Sequence, residues 1–161
     1  MAALSGGQIT DFVKKIPNVK KYFRGITTRD LNLRPPRIVK KTPQIYIQNT
    51  GYLANGIHWV LIIFEAENTI FFDSFGRDPK DLYLEASTAQ PYKTITYNPF
   101  HLQSENSEVC GHYILFVLYF LSLKKTLFQI NKFFTADRRN NDKLVYNFVS
   151  KLAERWKIKM Q

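Results

Sequence analysis

The sequence predicts an α+β domain: a central mixed or antiparallel sheet, with a buried helix that carries the only cysteine at its N-terminus. Three observations predict it. Two β-rich runs, His58-Trp59-Val-Leu-Ile-Ile-Phe64 and Thr69-Ile-Phe-Phe-Asp73-Ser-Phe-Gly76, are separated only by Glu65-Ala-Glu-Asn68, the pattern of a hairpin. Residues 114–121 are continuously apolar yet far short of the roughly 20 residues a bilayer span needs, so they read as a core helix. Val145, Phe148, Val149, Leu152 and Trp156 recur at helical spacing, a stripe that faces a core.

In chain order, residues 10–16 read as a short helix capped by Thr10 and ended by Pro17. Pro35-Pro36 marks an extended crossing before a strand over 44–48. The hairpin comes next. Residues 77–91 carry no clear period, 93–98 alternates like a strand, and 99–109 is a polar loop that delivers Cys110. Asp142 is the expected cap of the last helix. One domain over 1–161 is expected, with 1–9 a flexible tail, because 45% hydrophobic residues suffice for a single core of this length.

The chemistry concentrates around Cys110. Backbone N–H groups at a helix N-terminus stabilise an anion, so a thiol there ionises more readily than a free one. Taken alone, Cys110 reads equally as a small core hydrophobe. If Phe64 pairs with Thr69, His58 and Asp73 become diagonal neighbours on one face, about 7–8 Å apart at Cα and within hydrogen-bonding reach through their side chains. A bulge of one residue would separate them. Taken alone, His58 only opens a strand and Asp73 only bonds its own turn before Gly76. Together the three supply nucleophile, general base and orienting acid for thiol acyl transfer. Gln103 adds a side-chain N–H that, with the backbone N–H of Cys110, would meet the negative oxygen of a tetrahedral intermediate. His101 and His112 are unpaired and read as structural, and no metal-ligand cluster or glycine-rich phosphate loop is present.

The order His58, Asp73, Gln103, Cys110, with His-Trp at the first site, Phe-Asp-Ser-Phe-Gly at the second and Gln followed seven positions later by Cys-Gly, resembles the adenain family, the adenovirus-type maturation proteases. Papain-like enzymes put cysteine first. This order belongs to the adenain and SUMO-deconjugating group, and the resemblance spans roughly residues 8 to 123, including Tyr22-Phe23-Arg24-Gly25. It implies that Gly56, Trp59 and Gly111 line a narrow substrate channel admitting small residues beside the scissile bond. Asp73 stands where the adenovirus enzymes have glutamate, as in the SUMO proteases. Adenain takes a peptide activator that a second cysteine can tether; with Tyr92 near that position, any activator here acts without a disulfide. The short chain resembles compact relatives in virophages and maverick or polinton elements.

Charge is uneven. Residues 1–41 hold ten Lys or Arg and two acids, leaving only +2 of the net +10 for the rest. Lys14, Lys15, Lys20, Lys21, Arg24, Arg37, Lys40 and Lys41 suit sequence-independent phosphate contacts, though a solvated basic surface has the same composition. The resemblance adds viral DNA as an activating polyanion. It also makes Leu4-Ser5-Gly6-Gly7-Gln8 a self-cleavage candidate between Gly7 and Gln8, since adenain-like enzymes prefer an aliphatic residue, any residue, then Gly-Gly or Gly-X. A merely floppy terminus reads the same way.

The resulting expectation is a monomeric cysteine endopeptidase acting on capsid precursor polypeptides, without a metal or a membrane, in the virion and at the host-cell site of viral assembly. One cysteine excludes an internal disulfide framework, and residues 1–10 lack the apolar core of a secretion signal. A deconjugating protease for ubiquitin-like proteins and a non-enzymatic basic nucleic-acid-binding module are the alternatives.

Overall fold

Strand β3 (Trp59–Phe64) is apolar at every position because it is buried on both sides, which removes the alternation a half-exposed strand shows. It is the middle strand of a five-stranded mixed sheet with β1 (Phe23–Thr28), β2 (Gln44–Asn49), β4 (Asn68–Phe72) and β5 (Thr94–Tyr97), in spatial order 1-2-3-4-5. The β1/β2 and β4/β5 pairs are parallel, and β3 is antiparallel to both neighbours. This computed structural model describes residues 1–28, 42–51, 58–82 and 94–160. The helices are α1 (Gly6–Lys15), α2 (Pro79–Leu82), α3 (Cys110–Ser122), α4 (Leu127–Asn131) and α5 (Arg138–Trp156).

The two sides of β3 are covered differently. Leu61 and Ile63 join the main core with Ile45, Ile47 and Phe72, against α1, α3 and α5. Val60, Ile62 and Phe64 join Phe71 on the other face under Tyr46, Ile95 and Tyr97. Within α3, every residue from Cys110 to Leu118 is buried, so the helix is enclosed rather than amphipathic. The hairpin register is the expected one, Phe64 opposite Thr69 through Leu61 opposite Phe72, with no bulge.

Three expectations are corrected. Helix α1 begins at Gly6, not Thr10: Ser5 and Gln8 form a capping box, and Thr10 bonds back to the Gly6 carbonyl inside the helix. The expected tail over 1–9 is therefore part of the fold at its distal end, with Leu4 and Ile9 buried. The glycines between Ser5 and Gln8 hid this start, since glycine disfavours a helix. Helix α5 is capped by Asp137, whose Oδ1 accepts from the N–H of Arg139 and Asn140. Asp142 is instead buried, 2.9 Å from the Tyr113 hydroxyl. The strand β1 and the short helices α2 and α4 were not anticipated. Pro35-Pro36 lies outside the described residues.

The Tyr113–Asp142 pair matters because it anchors the loop before α3. The hydroxyl also lies 2.9 Å from the Leu102 carbonyl, Asn141 Nδ2 donates to the same carbonyl at 3.2 Å, and the Ser104 N–H approaches the carboxylate at 3.3 Å. Burial, reinforced by the Asp142 carboxylate, raises the Tyr113 phenol well above its ordinary value, so it stays a donor. Tyr113→Phe is expected to cost about 2 kcal/mol, the worth of a hydrogen bond to a charged acceptor, read from the urea midpoint. An unchanged midpoint would show that the hydroxyl does not hold the loop.

Candidate active site

His58 immediately precedes β3 and Asp73 immediately follows β4, so hairpin pairing alone brings their side chains together at one end of the sheet. His58 Nε2 lies 2.6 Å from Asp73 Oδ1, with the two residues 4% and 0% exposed. With Nε2 engaged, the other ring nitrogen is left for the thiol of Cys110, which lies near enough to help raise the imidazole pKa. Cys110 is the first residue of α3 and is a free thiol. Its N-cap, Val109, has no side-chain oxygen to offer. Among the described residues, no acceptor takes the N–H of Cys110, so that donor is left at the helix end.

Asp73 both orients His58 and bonds its own turn, so the two readings of the sequence hold at once. Oδ1 accepts from the Phe75 N–H at 2.9 Å, and Oδ2 from Arg77 Nε at 2.7 Å. Its carbonyl accepts from the Gly76 N–H and from Asn98 Nδ2, both at 2.9 Å. Gly76 has φ +68°, and a Cβ there would sit 2.5 Å from the Phe100 carbonyl carbon. Glycine is thus required for the turn to lie directly on the loop that carries Gln103. Phe75 covers the His58 ring at 4.7 Å between centroids.

Electrostatics follow from these contacts. Burial pushes the His58 imidazole down, but its hydrogen bonds to Asp73 and Cys110 outweigh this and hold it above the ordinary 6.5. Burial pushes Asp73 up, and the bonds from His58, the Phe75 N–H and Arg77 outweigh it, holding the carboxyl below 3.8. The linkage signs are opposite. The His58 contribution to stability is complete below about pH 6.5 and disappears as pH rises through its higher folded value. That of Asp73 is present above about pH 3.8 and disappears as pH falls through its lower folded value. Asp73→Asn keeps the shape and removes the charge. The alkaline limb of its kcat/KM profile is expected to move to lower pH, with a turnover loss short of the roughly 10⁴-fold cost of the same exchange in a serine triad, because a thiol nucleophile needs less help. A superimposable pH profile would mean that another group orients the histidine. Glu65 and Glu67 lie in the turn at the far end of the hairpin, about 20 Å away along the strands.

Gln103 is 1% exposed, so it is built in rather than solvated. Its Oε1 accepts from Ser74 Oγ at 2.6 Å and its Nε2 donates to the Ser107 carbonyl at 2.7 Å. The amide has two hydrogens, and one of them has no acceptor among the described residues. Ser74, Phe75, Arg77 and Asn98 were not singled out from sequence, although the first two lie inside the Phe-Asp-Ser-Phe-Gly motif.

The expected substrate channel is only partly there. Gly56 lies outside the described residues. Trp59 is half-buried; its indole N–H donates to the Leu4 carbonyl at 3.3 Å and its ring packs beside Gly6 of the N-terminal segment. Gly111 is corrected: it is buried, and a Cβ there would meet Leu4 Cβ and Ile9 Cδ1 at 3.2 Å, so its smallness serves the seating of α1. The Gly7–Gln8 bond lies in the first turn of α1, so cleavage there requires that turn to unwind. Lys14, Lys15, Lys20, Lys21 and Arg24 are exposed, while Arg37, Lys40, Lys41 and Tyr92 lie outside the described residues. His112 is buried against Tyr146, held neutral by burial and by the N-terminal ammonium, which bring its pKa to about 4. Among the described residues there is no cluster that could hold a metal and no helix long and apolar enough to cross a membrane.

No protein-family model and no curated protein matches the sequence. Among solved structures, the chain is similar to the pS273R protease of ASFV, with a TM-score of 0.52, 13% identity, and coverage of 80% of this chain and 61% of that one. It is also similar to ChlaDub1 from Chlamydia trachomatis, with a TM-score of 0.50, 11% identity, and coverage of 74% and 63%. The chain thus spans about three-fifths of the length of each. What they share is the fold, an α+β arrangement of mixed sheet and helices.

Proposed function

We propose that this chain is an adenain-like cysteine endopeptidase that cleaves capsid precursor polypeptides during particle maturation. One observation carries the catalytic part: a buried imidazole held at 2.6 Å by a carboxylate and raised in pKa by a nearby thiol that opens a buried helix. His58 takes the thiol proton, and the Cys110 sulfur attacks the scissile carbonyl carbon. The carbonyl oxygen becomes negative and is met by the free N–H of Gln103 and the N–H of Cys110. Collapse breaks the C–N bond as His58 gives its proton to the leaving amine. Water, deprotonated by His58, then hydrolyses the thioester and restores the thiol. Asp73 keeps the ring oriented and stabilises its charged form.

The capsid part of the reading is supported by the four-residue order and motifs shared with the adenain family, and by similarity in fold to a protease of ASFV. Incubation with the capsid proteins encoded beside its gene, followed by mass spectrometry of new termini, tests it. Cuts after an aliphatic residue, any residue and Gly-Gly or Gly-X, absent with Cys110→Ala, are expected. Intact precursors together with release of a folded ubiquitin-like conjugate would replace it with the deconjugating reading. Intact precursors and an inert Cys110 would leave the basic nucleic-acid-binding module.

DNA is proposed as a polyanionic partner of the N-terminal basic residues. If about six phosphates are neutralised, duplex affinity should fall about 10³-fold between 50 and 200 mM salt, with little dependence on sequence. Changing Lys14, Lys15, Lys20 and Lys21 to glutamate should abolish binding and leave basal peptide hydrolysis intact. Salt-insensitive binding that survives those changes would remove DNA from the reading.

A further inference from the structure

Two adjacent residues of one turn divide the work of holding the site. Asp73 holds His58, and Ser74 holds Gln103. The grip on Gln103 is double: Ser74 Oγ donates to Oε1 at 2.6 Å, and the Ser74 carbonyl accepts from the N–H of Leu102 at 2.8 Å and of Gln103 at 3.1 Å. Both residues are 1% exposed, so water does not compete for these groups.

The chemistry of the partners decides which way the amide faces. A carbonyl only accepts, so the Ser107 oxygen at 2.7 Å must take an N–H from Nε2. That puts Oε1 at the other end, and the Ser74 hydroxyl, which can serve either way, donates to it. With both ends of the amide held, the second N–H on Nε2 has a fixed direction.

We propose that Ser74 is a positioning residue for the oxyanion hole: its hydroxyl locks the Gln103 amide so that its free N–H is aimed before substrate arrives. The proposal rests on the protease reading. A donor fixed in advance costs no reorganisation as charge develops on the substrate oxygen, whereas a pivoting amide must be ordered during the reaction. Ser74 therefore acts on the transition state and only through Gln103.

The test is a double-mutant cycle with a fluorogenic Leu-Ser-Gly-Gly amide. Ser74→Ala is expected to lower kcat about tenfold with KM nearly unchanged and the rate of Cys110 alkylation retained. In a Gln103→Ala background the same change is expected to add no further loss, because the residue it acts through is gone. Losses that multiply would overturn the proposal. Solvent exchange of the Gln103 side-chain amide protons, followed by NMR, gives a second readout. Exchange should quicken in Ser74→Ala while the thermal melt shows an intact fold, and unchanged exchange would also overturn the lock. If the wild-type protein leaves the peptide uncut and Cys110 unreactive, the protease reading fails on its own, and the exchange experiment still decides whether Ser74 holds Gln103.

Discussion

Replacing His58 with alanine is expected to abolish peptide hydrolysis, a loss on the order of 10⁴-fold or more, and to slow alkylation of Cys110 by iodoacetamide near pH 6. Both effects come from one ring. In the proposed mechanism it accepts the thiol proton and later protonates the leaving amine, and general acid–base catalysis alone contributes about 10²- to 10⁴-fold. Loss of the ring also removes the base that takes the thiol proton. Since Asp73 and Cys110 raise His58 above 6.5 against the pull of burial, the wild type should keep its activity above that pH and lose it as the imidazolium is deprotonated. Rapid alkylation in the alanine variant would show that the thiol is activated by the helix end alone. A wild-type Cys110 that resists iodoacetamide in the folded protein would sink the protease reading.

Replacing Gln103 with alanine should cut turnover by about 10²- to 10³-fold, the usual cost of one oxyanion-hole donor. Alkylation of Cys110 should be nearly unaffected, because iodoacetamide makes no tetrahedral oxyanion. This split separates the two roles: His58 governs the nucleophile, Gln103 the intermediate. Stability should fall as well, since Ser74 Oγ and the Ser107 carbonyl each lose a buried partner, a penalty of about 1–3 kcal/mol per group. The comparison is therefore made well below the melting temperature of the variant. Full turnover in Gln103→Ala would assign the oxyanion to other donors.

The residues that were legible in the sequence are those whose partners are set by local pattern. His58 and Asp73 were paired from the Phe64–Thr69 register, and they lie 2.6 Å apart because a short polar turn between two apolar strands admits few registers. Cys110 opens a helix because an apolar run follows a polar loop. Gln103 was identified for its side-chain N–H, but that it is buried with its oxygen bound could not be read from a loop whose neighbours all look solvated.

The misreadings share a cause. Asp142 has the composition of a cap, yet Tyr113, 29 positions away in the chain, makes it a buried acceptor. The family resemblance implied that Gly111 lines a substrate channel. Its face is taken by Leu4 and Ile9, which no local rule could bring there.

By itself, then, the sequence determined the α+β class, the hairpin register, the cysteine at the head of a buried helix and the order of the chemical groups, because periodicity and turn chemistry act over a few residues. Only the tertiary structure decided which atoms of those groups are free to react. The orientation of Gln103 by Ser74 and Ser107, the second grip of Arg77 on Asp73, and the packing of Trp59 and Gly111 against the N-terminal segment depend on long-range packing. The directions of hydrogen bonds in a dry site are set by whichever donors and acceptors packing delivers, and neighbours in space leave no trace in spacing along the chain.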